Sequence, residues 1–173
     1  PADKYVVMAT RKGIIKKTAL DAFSNPRKAG VNAMDISEKD DELIEAQITD
    51  GTYEIVLATR QGMAIRFPEE KVRAMGRTAY GVKGIELEDK DYVIGMVVVK
   101  RDSTLLVVTE NGYGKRTSIE DYRMTNRGGK GVINVKTTDR NGEVVSIKEV
   151  LDQDELILIT KNGIANRQAV KDI

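Results

Sequence analysis

Four copies of one turn constrain this chain more than any other feature. Thr10-Arg-Lys-Gly13, Thr59-Arg-Gln-Gly62, Thr109-Glu-Asn-Gly112 and Thr160-Lys-Asn-Gly163 place their glycines 49, 50 and 51 residues apart. Each copy follows an apolar run: Val6 to Ala9, Ile55 to Ala58, Leu105 to Val108 and Leu156 to Ile159. Self-similarity at this period marks a repeat architecture, in which one unit cannot bury its own apolar face and depends on stacked neighbours.

Within each unit the pattern is that of strands. The run before the turn is apolar on consecutive residues, as expected of a strand buried on both faces. Asn111-Gly112 and Asn162-Gly163 match the two-residue hairpin signal, which asks for positive φ at both central positions. A second strand leaves each turn at Ile14, Met63, Tyr113 and Ile164. After a polar segment a second glycine opens a third strand, over 30–36, 81–87 and 131–137, with partial alternation of apolar residues. A fourth is expected over 43–48, 92–99 and 144–150, joined to the third by hydrophilic turns such as 37–42 and 138–142. Helix signals are weak. The expectation is an all-β, propeller-like fold of four-stranded repeats of about 50 residues. The repeats run approximately over 1–50, 51–101, 102–152 and an incomplete 153–173, a partial ring of roughly three and a half blades cut from a longer protein.

Composition removes several classes of chemistry. The 173 residues include no Cys and no His, so a disulfide, a thiolate metal site or a histidine general base is unavailable. The absence of Cys fits a reducing, cytoplasmic setting, and there is no signal-peptide pattern and no apolar run long enough to span a membrane. The G-x-x-x-x-G-K-[ST] phosphate loop is missing, because Gly114-Lys115 is followed by Arg116. No catalytic constellation emerges. With no Trp and few aromatics, recognition of single strands by base stacking is disfavoured. The 28 basic and 27 acidic residues sum to +1, so any electrostatic argument rests on where the charges lie.

They lie in a pattern. The fourth residue after each turn glycine is basic: Lys17, Arg66, Arg116 and Arg167, with Lys16 and Lys115 doubling two of them. The segment before the second glycine is basic again, with Arg27 and Lys28, Arg77, and Arg127 with Lys130, while Arg73 and Arg123 stand just upstream in the middle units. Acidic residues gather in other connections, around Glu38 to Glu45, Glu86 to Asp91 and Asp152 to Glu155. Equivalent blades would align the cations on one edge, the footprint of phosphate binding. A cation at a strand end also guards against edge-to-edge aggregation, which is the competing use for any one of them. Arg127-Gly-Gly-Lys-Gly131 adds a loop in which Gly128 and Gly129, flanked by charge, let backbone N–H groups approach a phosphate.

These stretches, together with Arg73 to Ile85, Thr125 to Ile133 and Asp139 to Val145, resemble the blade signatures of the C-terminal domain of the DNA gyrase A subunit over essentially the whole chain. The resemblance implies a β-pinwheel, a propeller-like disc whose basic rim bends and wraps duplex DNA. It implies DNA contacts at the cations named above and a bacterial, nucleoid-associated location. Its implied partners for the parent protein are the gyrase B subunit, together with a second A subunit. ATP and magnesium would act in other parts of the enzyme, and no tyrosine here inherits the catalytic role. The family's box, Q-R-R-G-G-[RK]-G, is matched only in part, since Thr125-Asn126 replaces its Gln-Arg lead; an intact copy is expected outside this fragment. The related A-subunit domain of topoisomerase IV and a protein-binding propeller of the kelch kind are the alternatives.

Overall fold

The computed structural model describes residues 3–36 and 39–173; Ser37 and Glu38, at the head of the hydrophilic turn expected over 37–42, lie outside them. The described chain is all-β, with four single turns of 3-10 helix. In chain order the strands are β1 (Tyr5–Thr10), β2 (Ile14–Ala19), β3 (Leu43–Thr49), β4 (Glu54–Thr59), β5 (Met63–Pro68), β6 (Val82–Lys83), β7 (Val93–Val99), β8 (Thr104–Thr109), β9 (Gly114–Ser118), β10 (Val132–Ile133), β11 (Val144–Val150), β12 (Glu155–Ile159) and β13 (Ala165–Ala169).

They form antiparallel sheets in the orders β3-β1-β2-β6, β10-β5-β4-β7, β11-β8-β9 and β12-β13. The strands β3, β7 and β11 pack side by side and so form the inner side of the arc. The opposite, outer edges of β2 and β5 carry the short strands β6 and β10. Those short strands come from the following repeat. The third segment of the second and of the third unit therefore completes the preceding blade instead of its own, and each four-stranded sheet is drawn from two units. Residues 30–36, expected as a strand, form none among the described residues.

The apolar runs are buried on both faces, as consecutive hydrophobicity predicts. Ile55 and Leu57 pack toward the first blade with Val7, Ala9 and Ile15, whereas Val56 and Ala58 pack toward the third with Leu105 and Val107. The fourth hairpin departs from this. Ile157 and Ile159 are 68% and 71% exposed, since the small cluster of Leu106, Val150 and Val170 covers that hairpin only at Leu156.

The turn also differs from the expected hairpin. Asn111 and Asn162 do not take positive φ; only the glycine does, as at Gly62 (φ 90°) and Gly112 (φ 82°). The Thr59 carbonyl accepts the Gly62 N–H at 3.1 Å and its hydroxyl accepts the Met63 N–H at 3.0 Å, so the threonine closes the loop twice. This is the longer hairpin loop in which a turn is followed by a left-handed glycine. The glycine then faces the next unit. Its carbonyl accepts N–H groups from Asn134 (2.7 Å) and Val135 (3.2 Å), just as Gly13 accepts from Gly84 (2.8 Å) and Ile85 (3.2 Å).

A Cβ at Gly62 would stand 2.0 Å from the Val135 carbonyl oxygen, while one at Gly112 would meet nothing within 4 Å. Gly112→Ala is expected to cost about 1–2 kcal/mol, the left-handed penalty alone. Gly62→Ala adds a backbone clash and is expected to cost about 3 kcal/mol or more. Urea unfolding of the two variants measures the difference, and equal losses would contradict the packing of the second turn against the third unit.

Candidate nucleic-acid interface

The first three offset-four cations are not a solvent-facing stripe; only Arg167, on the incomplete fourth hairpin, is exposed, at 70%. Lys16, Lys17 and Arg66 are 0%, 6% and 7% exposed. Lys17 donates from Nζ to the Glu69 carbonyl (3.1 Å), Arg66 from Nη1 to the carbonyls of Ile119 and Tyr122 (both 3.1 Å), and Arg116 from Nη1 to the Val170 carbonyl (3.3 Å). Glu69, Ile119 and Val170 each open the 3-10 turn of the following blade. Each cation thus reaches across to one equivalent carbonyl next door.

On its own blade each is steadied by the residue eight places before the turn glycine. Lys17 lies over the Tyr5 ring at 5.0 Å, Arg66 pairs with Glu54 at 2.7 Å, Arg116 donates to Thr104 Oγ1 at 2.8 Å, and Arg167 pairs with Glu155. The backbone reinforces the junction, with the Lys17 carbonyl accepting from Met75 (2.7 Å) and the Arg66 carbonyl from Thr125 (2.9 Å). Recurrence at one offset marks a latch between blades, and the donors spent on carbonyls are withdrawn from phosphates. Lys16 Nζ is likewise held by the carbonyls of Ala33 (2.8 Å) and Arg77 (2.6 Å), and Lys115 Nζ by Asn134 (2.6 Å). Burial, and then the neighbouring Arg77 charge, lower the pKa of Lys16.

The Arg-Gly-Gly-Lys loop is also tied down. Arg127 donates to the carbonyls of Lys71 (2.9 Å) and Lys83 (3.0 Å), and Lys130 pairs with Glu88 at 2.9 Å. The Gly128 N–H is engaged by the Gly84 carbonyl at 2.7 Å, and the Gly129 carbonyl accepts from Glu86 at 2.8 Å. Arg77 donates to the Asn32 carbonyl at 3.3 Å.

What remains is a smaller set. Arg27, Lys28, Arg73 and Arg123 are exposed, and no hydrogen bond or ion pair engages their side chains among the described residues. Arg73 and Arg123 flank Ala74 and Met124, which bridge in parallel to Lys17 and Arg66 on the outer edges of β2 and β5. Equivalent positions of successive blades therefore carry a free guanidinium on the outside of the arc. Lys71 and Lys83, exposed and unengaged beside them, were not legible in the repeat, because Asn32 and Ile133 take the place of Lys83 in the other copies. The opposite face of the turns is charge-balanced, with Arg11 paired to Glu42, and Arg60 to Glu110 and Glu143.

A family model described as "DNA gyrase C-terminal domain, beta-propeller" matches residues 4–50, 53–100 and 103–150. The chain belongs to that family. The DNA gyrase A subunit of Haloquadratum walsbyi is 46% identical over 173 residues, covering 99% of this chain and 20% of that protein. A crystal structure of the C-terminal domain of DNA topoisomerase IV superposes with a TM-score of 0.92 at 27% identity, covering 99% of this chain and 54% of that one. A DNA gyrase A C-terminal domain gives 0.89 at 29% identity, covering 100% and 58%. The chain spans about a fifth of the length of the curated relative. Membership of the gyrase family leaves the kelch alternative without support.

In this gyrase-type domain Tyr80 occupies the place that Lys130 holds one blade on, directly before the second glycine. Its hydroxyl donates to Asp41 Oδ2 at 2.8 Å. Burial, and then the Asp41 carboxylate, push the Tyr80 pKa from 10.0 up to about 12. Asp41 is held below its ordinary value although burial opposes this, because hydrogen bonds from Thr10, the Lys12 N–H and Tyr80 outweigh it.

Arg66→Ala is expected to lower stability by about 3 kcal/mol, from two charge-assisted bonds and an orphaned Glu54, whereas Arg66→Lys, the residue the first blade uses, costs about 1 kcal/mol. For Tyr80 the folded pKa lies above the unfolded one, so its stabilisation is complete below pH 10 and lost as pH rises toward about 12. Urea midpoints across that range should fall less steeply in Tyr80→Phe than in the parent.

Proposed function

We propose that this domain is the DNA-wrapping portion of a DNA gyrase A subunit. Duplex DNA would lie along the outer edge of the arc, held by its phosphates with little readout of bases. The observation that carries this reading is the pair Arg73 and Arg123, free cations at the same outer position of successive blades. Lys71 and Lys83 adjoin them, and Arg27 and Lys28 extend the free set into the first unit. Bending a duplex through 40–90° costs of order 1–6 kcal/mol, so several blades must contribute contacts at once. The inter-blade latches suit that demand, because they fix the spacing of the outer positions before DNA arrives. The parent enzyme would be a type IIA topoisomerase of the bacterial cytoplasm, working with its B subunit, and with a second A subunit. There the wrapped segment would be directed into ATP-dependent negative supercoiling. A topoisomerase IV origin is the second reading, favoured by the 0.92 superposition; the gyrase reading is favoured by the 46% identity to a gyrase A subunit.

Salt dependence tests the binding mode. Log affinity for duplex DNA should fall linearly with log salt, with a slope of about −0.9 per phosphate neutralised. Arg73→Ala and Arg123→Ala should each weaken binding uniformly across sequences and reduce the slope by about 1. Arg66→Lys should leave affinity and slope unchanged. Salt-insensitive binding, or an effect of Arg66→Lys as large as that of Arg73→Ala, would overturn the assignment of the outer edge.

A further inference from the structure

The outer edge is not uniform from blade to blade. On the first blade the edge of β2 presents Lys83, paired with Ile14, and Ala74, bridged to Lys17. On the second the edge of β5 presents Ile133, paired with Met63, and Met124, bridged to Arg66. The same two positions thus change from a lysine and an alanine to two large apolar side chains. Ile133 is 70% exposed and Met124 40% exposed. Their partners lie three residues apart along β5, so the two stand about 10 Å from one another on one edge, with their side chains toward opposite faces of the sheet.

Packing does not account for them. Both fall outside the hydrophobic clusters, in which the exchanged segment contributes Val132 and Val135 instead. The surroundings of Met124 suit a polyanion, because it shares a shallow cleft with Lys71, Arg123 and Asn126. An apolar protein partner would meet free cations there, whereas duplex DNA would meet phosphate ligands beside two side chains, each able to enter a base step of its own. Proteins that bend DNA sharply use apolar wedges of this kind, unstacking a step and kinking the duplex.

We propose that Ile133 and Met124 each act as such a wedge, so that a duplex on this rim is kinked at the second blade and follows the first more smoothly. The proposal rests on the DNA reading above and adds where the bend concentrates. An apolar wedge acts through unstacking and not through charge, so it separates from the phosphate contacts: it controls the shape of bound DNA more than its affinity.

The test uses the full chain with a duplex of roughly 30 base pairs that carries a central TA step, the step easiest to unstack. 2-Aminopurine in that step reports unstacking, and dyes at the two ends report bending by energy transfer. The double variant Met124→Ala/Ile133→Lys installs the first blade's residues at exposed positions; Ile133→Lys alone is the milder form, with urea midpoints as the folding control. The parent protein should raise 2-aminopurine emission on binding. The double variant should bind as tightly or more tightly, because it gains a cation, yet lose about half or more of that rise together with part of the end-to-end transfer. Retained binding with unchanged emission and transfer overturns the wedge while leaving the phosphate contacts standing. Failure of the parent protein to bind the duplex at all overturns the DNA reading and the wedge with it.

Discussion

The fold depends on one carbonyl per blade. In the first two T-x-x-G turns the closing glycine offers its oxygen to two N–H groups of the next repeat, at 2.8 and 3.2 Å for Gly13 and 2.7 and 3.2 Å for Gly62. A backbone acceptor at a hairpin tip would ordinarily be left to water. Here it receives the strand that the following unit sends back, and the two units become parts of one sheet. Such bonds add only modest net stability in water, but leaving them unmade in a dry junction costs the full desolvation penalty. The exchanged strand therefore fixes register as much as it adds stability.

The cation latch acts on the same junction from the other end of the hairpin. Lys17 and Arg66 are nearly inaccessible, which would be costly for a charge with nothing to bond. Each instead satisfies carbonyls of the neighbouring 3-10 turn and leans on a residue of its own blade. That residue varies from Tyr5 to Glu54 to Thr104 to Glu155, while the carbonyl at the far side is the same in each of the first three copies. The constant element is thus the inter-blade bond, and the variable one only orients the donor.

Much of the fold was legible in the sequence, because apolarity on consecutive residues has a single economical explanation when it recurs at one period. The runs around Ile55 and Leu105 do face two neighbours. The partner of the third segment was not legible, since a strand that pairs within its own unit and one that crosses to the previous unit show the same alternation. The site was less transparent. A basic residue repeated at one offset was expected to line a surface, but repetition reports only that a position has the same duty in every blade. The residue eight places before each glycine carried a usable signal: Glu54 and Glu155 are acids set to pair with Arg66 and Arg167 across the hairpin. Lys83 had no such signal, because its role arises from strand exchange and its counterparts are Asn32 and Ile133.

This division of labour lets a nearly neutral repeat protein place free cations at matching outer positions of successive blades. Cations that recur at one offset are consumed, in the first three copies, in holding the blades together, so the outer edge is free to differ from one blade to the next. Arg73 and Arg123 recur there, yet Lys83 gives way to Ile133 and Ala74 to Met124 without disturbing the frame. A polymer laid on such an edge meets evenly spaced anchors whose surroundings change along its path. On the proposed DNA reading, the spacing of the anchors would set the average curvature of the duplex. The residues that change between the anchors would then decide where that curvature is concentrated, which is a property no single blade could encode alone.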